Sequence, residues 1–110
     1  MTKKLYLIID DNQDVRDYVK SLLHDKYTVI EASNGQKGLQ QAMKYVPDAI
    51  ICDVMMPVMD GLEAARYIRW SNKENARDIP IIAMTANAFT EDKERALESG
   101  MNDHVAKRLI

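Results

Sequence analysis

A small set of side chains in this sequence has the types and positions for phosphoryl chemistry. Asp10 and Asp11 follow the apolar run Leu5-Tyr6-Leu7-Ile8-Ile9. Asp53 follows Ala49-Ile50-Ile51-Cys52, Thr85 closes the run Ile79 to Met84, and Lys107 closes His104-Val105-Ala106. A carboxylate at the end of a buried segment is costly unless something there uses it. Gathered at one edge, three carboxylates repel one another, so one holds a proton or a cation joins them. Oxygen ligands select a hard ion such as Mg²⁺, which keeps several waters and leaves positions for a phosphoryl oxygen. Lysine adds a compact positive charge suited to phosphate, and Thr85 offers a hydroxyl. One carboxylate can then act as nucleophile and form an acyl phosphate. Asp53 is the best candidate, because it stands alone while Asp10 and Asp11 come as a pair.

Those residues need a scaffold that brings them together. The run Leu5 to Ile9 is continuously apolar, which indicates a strand covered on both faces, as in a parallel sheet. Val15, Tyr18, Val19, Leu22 and Leu23 mark one face of a helix, with Asp11 or Asn12 as its N-cap. Tyr27 to Ala32 reads as a second strand, and Ser33-Asn34-Gly35 as a turn. Leu39, Ala42, Met43 and Val46 mark a second helix stopped by Pro47. The strand ending on Asp53 follows. Leu62, Ala65 and Ile68 predict a third helix through about Trp70, and Ser71 to Asp78 a polar loop. Ile79 to Met84 is a fourth strand, Thr90 to Glu98 a fourth helix closed by Gly100, and His104 to Lys107 a fifth strand. Alternation of strand and helix from end to end specifies an α/β fold with a parallel sheet and helices on both faces. In such sheets ligands bind outside the carboxyl ends of the strands, which is where all the candidate residues fall.

The chain has 110 residues, enough for one domain spanning 1–110. Its net charge of −2 provides no basic footprint for nucleic acid. No apolar run reaches the roughly 18 residues that span a membrane, and the N-terminus lacks a signal-peptide pattern. A single cysteine rules out an intrachain disulfide and suits a reducing compartment, so a cytoplasmic location is expected. Cys52 reads as a plain buried thiol.

Taken together, Asp10-Asp11, Asp53 with Met55-Met56-Pro57-Val58-Met59-Asp60-Gly61, Thr85-Ala86, and Gly100-Met101-Asn102-Asp103-His104-Val105-Ala106-Lys107 closely resemble the receiver domain of two-component response regulators. The resemblance covers nearly the whole chain. It implies a flavodoxin-like, doubly wound, five-stranded parallel sheet in the order 2-1-3-4-5. It also implies a phosphoacceptor signalling domain rather than an enzyme, in which Asp53 takes a phosphoryl group from phosphohistidine on a histidine kinase or phosphotransfer protein. By the same resemblance, Mg²⁺ would be held by Asp11, Asp53 and the Met55 backbone carbonyl, with Asp10 acting through water. Thr85 and Lys107 would contact the phosphoryl group. His104 falls where the family has a switch aromatic that turns inward as Thr85 moves, and Met55 and Asn87 fall at positions that tune dephosphorylation. The wording around Thr85 and Gly100 looks most like receivers attached to hybrid histidine kinases.

Plainer readings stand beside these. Asp10-Asp11 could cap the first helix, Lys107 could be a solvated lysine, Thr85 an ordinary strand-end hydroxyl, and His104 a half-buried core histidine. His24 reads as a helix C-terminal dipole partner. Met55 and Met59 read as packing or as an adaptable partner surface.

Two features depart from the family. Arg108 stands where receivers have a proline joined by a cis bond. A cis non-proline bond costs about 3–4 kcal/mol, so a trans bond is expected, and the aim of Lys107 is put in question. The chain also stops where the family has a fifth helix. Apolar sheet surface on the face shared with the first helix should then be bare, which predicts a C-terminally truncated domain, or a homodimer or swapped assembly that covers it. The rival functions are a receiver that no longer phosphorylates and works as an interaction module, a Mg²⁺-dependent phosphohydrolase with an aspartyl-phosphate intermediate, and a flavin-binding module. The hydrolase needs a second acid two residues after the nucleophile, and that position is Met55. The flavin module needs small and hydroxyl residues after the first strand, where Asp10-Asp11-Asn12-Gln13-Asp14 would repel a phosphate.

Overall fold

The apolar runs of the sequence become strands, and the 3.6-residue patterns between them become helices. A computed structural model describes residues 3–54, 56, 59–85 and 90–107. The order is β1 (Leu5–Ile9), α1 (Gln13–Leu23), β2 (Thr28–Ala32), α2 (Gly35–Tyr45), β3 (Ala49–Asp53), α3 (Gly61–Trp70), β4 (Ile81–Thr85), α4 (Thr90–Glu98) and β5 (Asp103–Ala106). All strands pair in parallel, in the order β2-β1-β3-β4-β5. This is the doubly wound order that the resemblance to receiver domains implied. Among the described residues no helix is long and apolar enough to cross a membrane.

Side-chain caps fix where the helices begin. Asn12 Oδ1 accepts from the amides of Asp14 at 2.8 Å and Val15 at 3.3 Å, which settles the first N-cap in favour of Asn12 over Asp11. Asn34 Oδ1 accepts from Lys37 N at 2.8 Å, and Asp60 Oδ1 from Glu63 N at 2.9 Å. Each cap satisfies an amide that the first helical turn leaves open. Gly35 therefore opens α2 rather than turning the chain. At the other end of α2, Val46 is held left-handed at φ 43°, its amide bonded to Ala42 O at 2.9 Å, and Pro47 follows. A β-branched residue is strained there. That strain turns the chain straight into β3.

Several boundaries move by a residue or two. Tyr27 stays outside β2 and stacks on Tyr6, with ring centroids 4.3 Å apart. Ile79 and Pro80 precede β4, although Pro80 O still accepts from Ile50 N at 2.8 Å. The polar loop holds a short 3-10 turn, Ala76–Asp78, whose Ala76 is fully buried. Lys107 lies one residue past β5.

The two faces of the sheet are covered unequally. Leu7, Ile9, Ile50, Cys52, Ile81 and Ala83 pack with Ala42 of α2, Leu62, Ala65 and Ile68 of α3, and Ala96 of α4. On the opposite face Ile8 and Met84 pack with Val19 of α1, which among the described residues is the sole helix there. Beside α1 runs an apolar groove of about 220 Å³ lined by Val19, Leu22, Leu23, Ile51, Ile82, Met84 and Val105. Leu22 is 60% exposed and Val105 37%. Ile51 and Ile82 are only half-buried, so they forfeit part of the roughly 1.5–3 kcal/mol that full burial of such a side chain contributes. The bare apolar surface expected on the face shared with the first helix is present.

The amino ends of β4 and β5 are cross-braced. Arg69, at the end of α3, donates to Gly100 O, Arg77 O and Asn102 Oδ1, each at 2.8 Å, and Asn102 Oδ1 also accepts from Ile81 N at 2.8 Å. Gly100 makes this turn at φ 100°, which a side chain would resist.

Candidate functional site

The carboxyl ends of β1, β3, β4 and β5 converge on one small acidic site. Asp10, the residue after β1, is fully buried. Its amide continues the ladder to Ala32 O at 3.1 Å, and its Oδ1 accepts from Asn12 N at 2.9 Å. Asp53, the last residue of β3, is 3% exposed. Asp11 is exposed beside them, and one oxygen from each of the three carboxylates lies within 4.8 Å of the others.

Lys107 is the counter-charge. Its Nζ donates to Asp53 Oδ2 at 2.8 Å and forms an ion pair with Asp10 Oδ2 at 3.0 Å, the latter without hydrogen-bond alignment. The doubt raised by Arg108 in place of proline is answered for the side chain, because the ammonium reaches both acids. The Lys107–Arg108 bond itself lies outside the described residues. Burial pulls the Lys107 ammonium toward neutrality. The hydrogen bond to Asp53 and the negative charges of Asp53 and Asp10 more than offset that, and the net shift is upward.

Thr85, 2% exposed, ends β4 in register with Ala106, next to Lys107. Its Oγ1 is buried with no hydrogen-bond partner among the described residues. A buried hydroxyl without a bond calls for an explanation such as strain, a catalytic role or a bound water or ion. His104 lies in register with Ala83, its side chain 21% exposed, and its Nδ1 is 3.7 Å from Asp103 Oδ1. Cys52 points into the core and its Sγ donates to Asp53 O at 3.4 Å. Burial, then the charges of Asp53, Asp10 and Asp60, push this thiol far above its ordinary range. Met55 and Asn87 lie outside the described residues, so the expected backbone carbonyl ligand is not placed. His24 sits at the C-cap of α1 with Nδ1 3.1 Å from Ser21 O.

The donor set fits a hard divalent cation. Among the described residues it consists of oxygens alone, two of the three acids are buried, and Asp10 Oδ2 has no aligned donor. Gly61 lets α3 start against this site. Its amide bonds Val54 O at 3.1 Å, and a Cβ there would collide with the main-chain carbonyl of Asp53.

One contributor escaped the sequence reading. Arg16 is buried, and its Nη1 donates to Asp10 O at 2.6 Å. The available signal was its position. It lies three before Val19 and seven before Leu23, on the edge of the apolar stripe of α1, where a charge is unexpected unless paired.

The same fold recurs in proteins this chain resembles. The receiver domain of the sensor histidine kinase PA1611 from Pseudomonas aeruginosa PAO1, solved with a magnesium ion in its active-site cleft, superposes with a TM-score of 0.86 at 37% identity, over 96% of this chain and 86% of that one. The chemotaxis protein CheY4 of Vibrio cholerae matches with a TM-score of 0.88 at 31% identity, over 96% and 88%. Histidine kinase P4 of Formosa agariphila is 34% identical over 105 residues, which are 96% of this chain but 8% of that protein. Residues 6–109 match the response regulator receiver domain as a family. With that match spread over nearly the whole sequence, and with the sheet order and acidic edge described above, the chain belongs to the response regulator receiver family of two-component signalling.

Proposed function

We propose that Asp53 is the phosphoacceptor of a two-component or phosphorelay system, taking its phosphoryl group from phosphohistidine on a histidine kinase or histidine phosphotransfer protein in the cytoplasm. The observation that carries this is the convergence of Asp10, Asp11 and Lys107 on one carboxylate at the end of the central strand.

In the transfer, a carboxylate oxygen of Asp53 bonds to phosphorus, the N–P bond breaks, and its electron pair returns to the donor imidazole. Asp11 and Asp53, with the Met55 carbonyl, would hold Mg²⁺ directly and Asp10 through water, and the ion would supply positive charge to the oxygens of the transferring group. Lys107 is already within bonding distance of Asp53 and turns its ammonium to the phosphoryl oxygens. Thr85 supplies the hydroxyl, which has no partner among the described residues. As Thr85 moves inward, His104 follows, and the outer surface changes its affinity for a partner. A few kcal/mol of differential contact is enough for such a population shift. The domain acts on itself alone, and in the cell residues 1–110 form one receiver unit, alone or within a hybrid histidine kinase.

Incubation with acetyl phosphate or a phosphorylated kinase and Mg²⁺, read by intact mass, tests this. One phosphate adduct is expected, absent in Asp53→Asn. No adduct on the parent chain would favour a receiver that works only as an interaction module. Steady turnover of phosphomonoesters would favour a hydrolase, for which the thioether of Met55 stands where the proton-transferring acid is needed.

A further inference from the structure

We infer that Arg16 is a positioning residue for the acidic site, aiming the Asp10–Asp11 peptide so that Asp11 faces Asp53. This rests on the proposed metal-assisted phosphoacceptor reading.

The guanidinium is held on three sides. Nη1 donates to Asp10 O at 2.6 Å, Nη2 to Gln13 Oε1 at 2.5 Å, and Nε to Glu31 Oε1 at 3.2 Å. The group is planar and rigid, so three acceptors in fixed directions determine its orientation. Its charge is already matched by Glu31, which also meets Lys20 at 3.5 Å. The contribution of Arg16 to the site is therefore geometric more than electrostatic. The carbonyl it holds belongs to the same planar unit as the amide of Asp11. The rest of Asp10 is fixed independently, through its amide on Ala32 O and its Oδ1 on Asn12 N. Asp11, in contrast, is exposed, and among the described residues its carboxylate has no hydrogen bond or ion pair. The direction of that one peptide plane then decides where Asp11 points, and Arg16 is the side chain that sets it.

Partners that orient a metal ligand typically change metal affinity about 10- to 100-fold when removed. In the metal-free chain, Mn²⁺ titration by electron paramagnetic resonance should show the dissociation constant rising about tenfold in Arg16→Met, which keeps the aliphatic packing and removes the fork. Arg16→Lys keeps the charge without the fork and should recover little of the loss. With Mg²⁺ and acetyl phosphate, the deficit should appear as a higher half-saturating Mg²⁺ concentration, with the rate at saturation within about twofold. Amide ¹⁵N shifts of Asp11 and Asn12 should move in the metal-free variant. Lys20→Met, which removes the outer bridge to Glu31, serves as the structural control and should leave the constant unchanged. If Arg16→Met does not fold, Gln13→Leu, which deletes the Nη2 acceptor together with an exposed bond from Gln13 Nε2 to Asp17 Oδ1 at 2.8 Å, should still raise the constant about threefold. An unchanged constant in folded Arg16→Met and Gln13→Leu would overturn the inference while the metal reading stands. A constant that merely tracks melting temperature across the variants, or full rescue by lysine, would also overturn it. A parent chain that binds no Mn²⁺ would remove the metal reading and this inference together.

Discussion

The Lys107 ammonium lies 2.8 Å from Asp53 Oδ2 across 54 residues of sequence, and it joins the last strand to the central one. In the absence of metal this lysine is the cation that lets buried carboxylates share an edge.

Lys107→Met should therefore destabilise the metal-free protein by about 1–3 kcal/mol in urea unfolding. Partial exposure of the lysine keeps the loss below the about 3–5 kcal/mol seen when fully buried pairs are broken. Added Mg²⁺ should recover most of it. The pH dependence has a definite sign. The folded pKa is raised above the ordinary lysine value of 10.5, so the stabilisation is fully present below that value. It is lost as pH rises through the higher folded value. The parent and variant curves should thus run parallel from neutral pH to about 10.5 and converge only above it.

Thr85→Val should separate stability from signalling. The hydroxyl is buried without a partner among the described residues, so an isosteric methyl is expected to stabilise the unphosphorylated protein by about 1 kcal/mol. Uptake of phosphate should persist, while the phosphate-dependent change in the His104 ring resonances should vanish. A Thr85→Val protein less stable than the parent would show that the hydroxyl is not orphaned, and one that still shifts His104 on phosphorylation would show that it is not the relay.

Cys52 should resist iodoacetamide in the native protein at pH 8 and react fully in urea. Burial and the neighbouring carboxylates hold its thiol protonated well beyond that pH. Native labelling at a rate approaching that of the unfolded chain would show that the β3 end opens readily.

The groove beside α1 should bind an apolar dye such as ANS, and the chain should show concentration-dependent sedimentation. Leu22→Glu should diminish both with little loss of stability, because Leu22 is already 60% exposed. A monodisperse monomer with no dye uptake would show the groove is closed in solution.

The parallel sheet was legible because the central strands β1, β3 and β4 are continuous apolar runs and the helices between the strands keep their own period, while the strand order came from the resemblance to receiver domains. The acids and Lys107 were legible because they end those runs, and a parallel sheet sends strand ends to one rim. What stayed hidden depends on directions in space. That Asn12 rather than Asp11 caps α1 is decided by where Asp11 must point. The dual pairing of Lys107 follows from the length of its side chain across two strands. Arg16 acts through the carbonyl of Asp10, which no side-chain pattern displays. The start of α3 at Gly61 depends on a close approach to the carbonyl of Asp53, which only the folded chain reveals.

The Arg69 brace gives the molecule a stiff floor. Three hydrogen bonds from one guanidinium lock the amino ends of β4 and β5 to α3, while the chemistry sits at the opposite ends of the same strands. A disturbance at Thr85 therefore has little room to travel downward along β4. It can relax sideways, across the mouth of the sheet. A protein that reads the phosphorylated state should grip the upper half of the domain, and one that holds the floor should be blind to it.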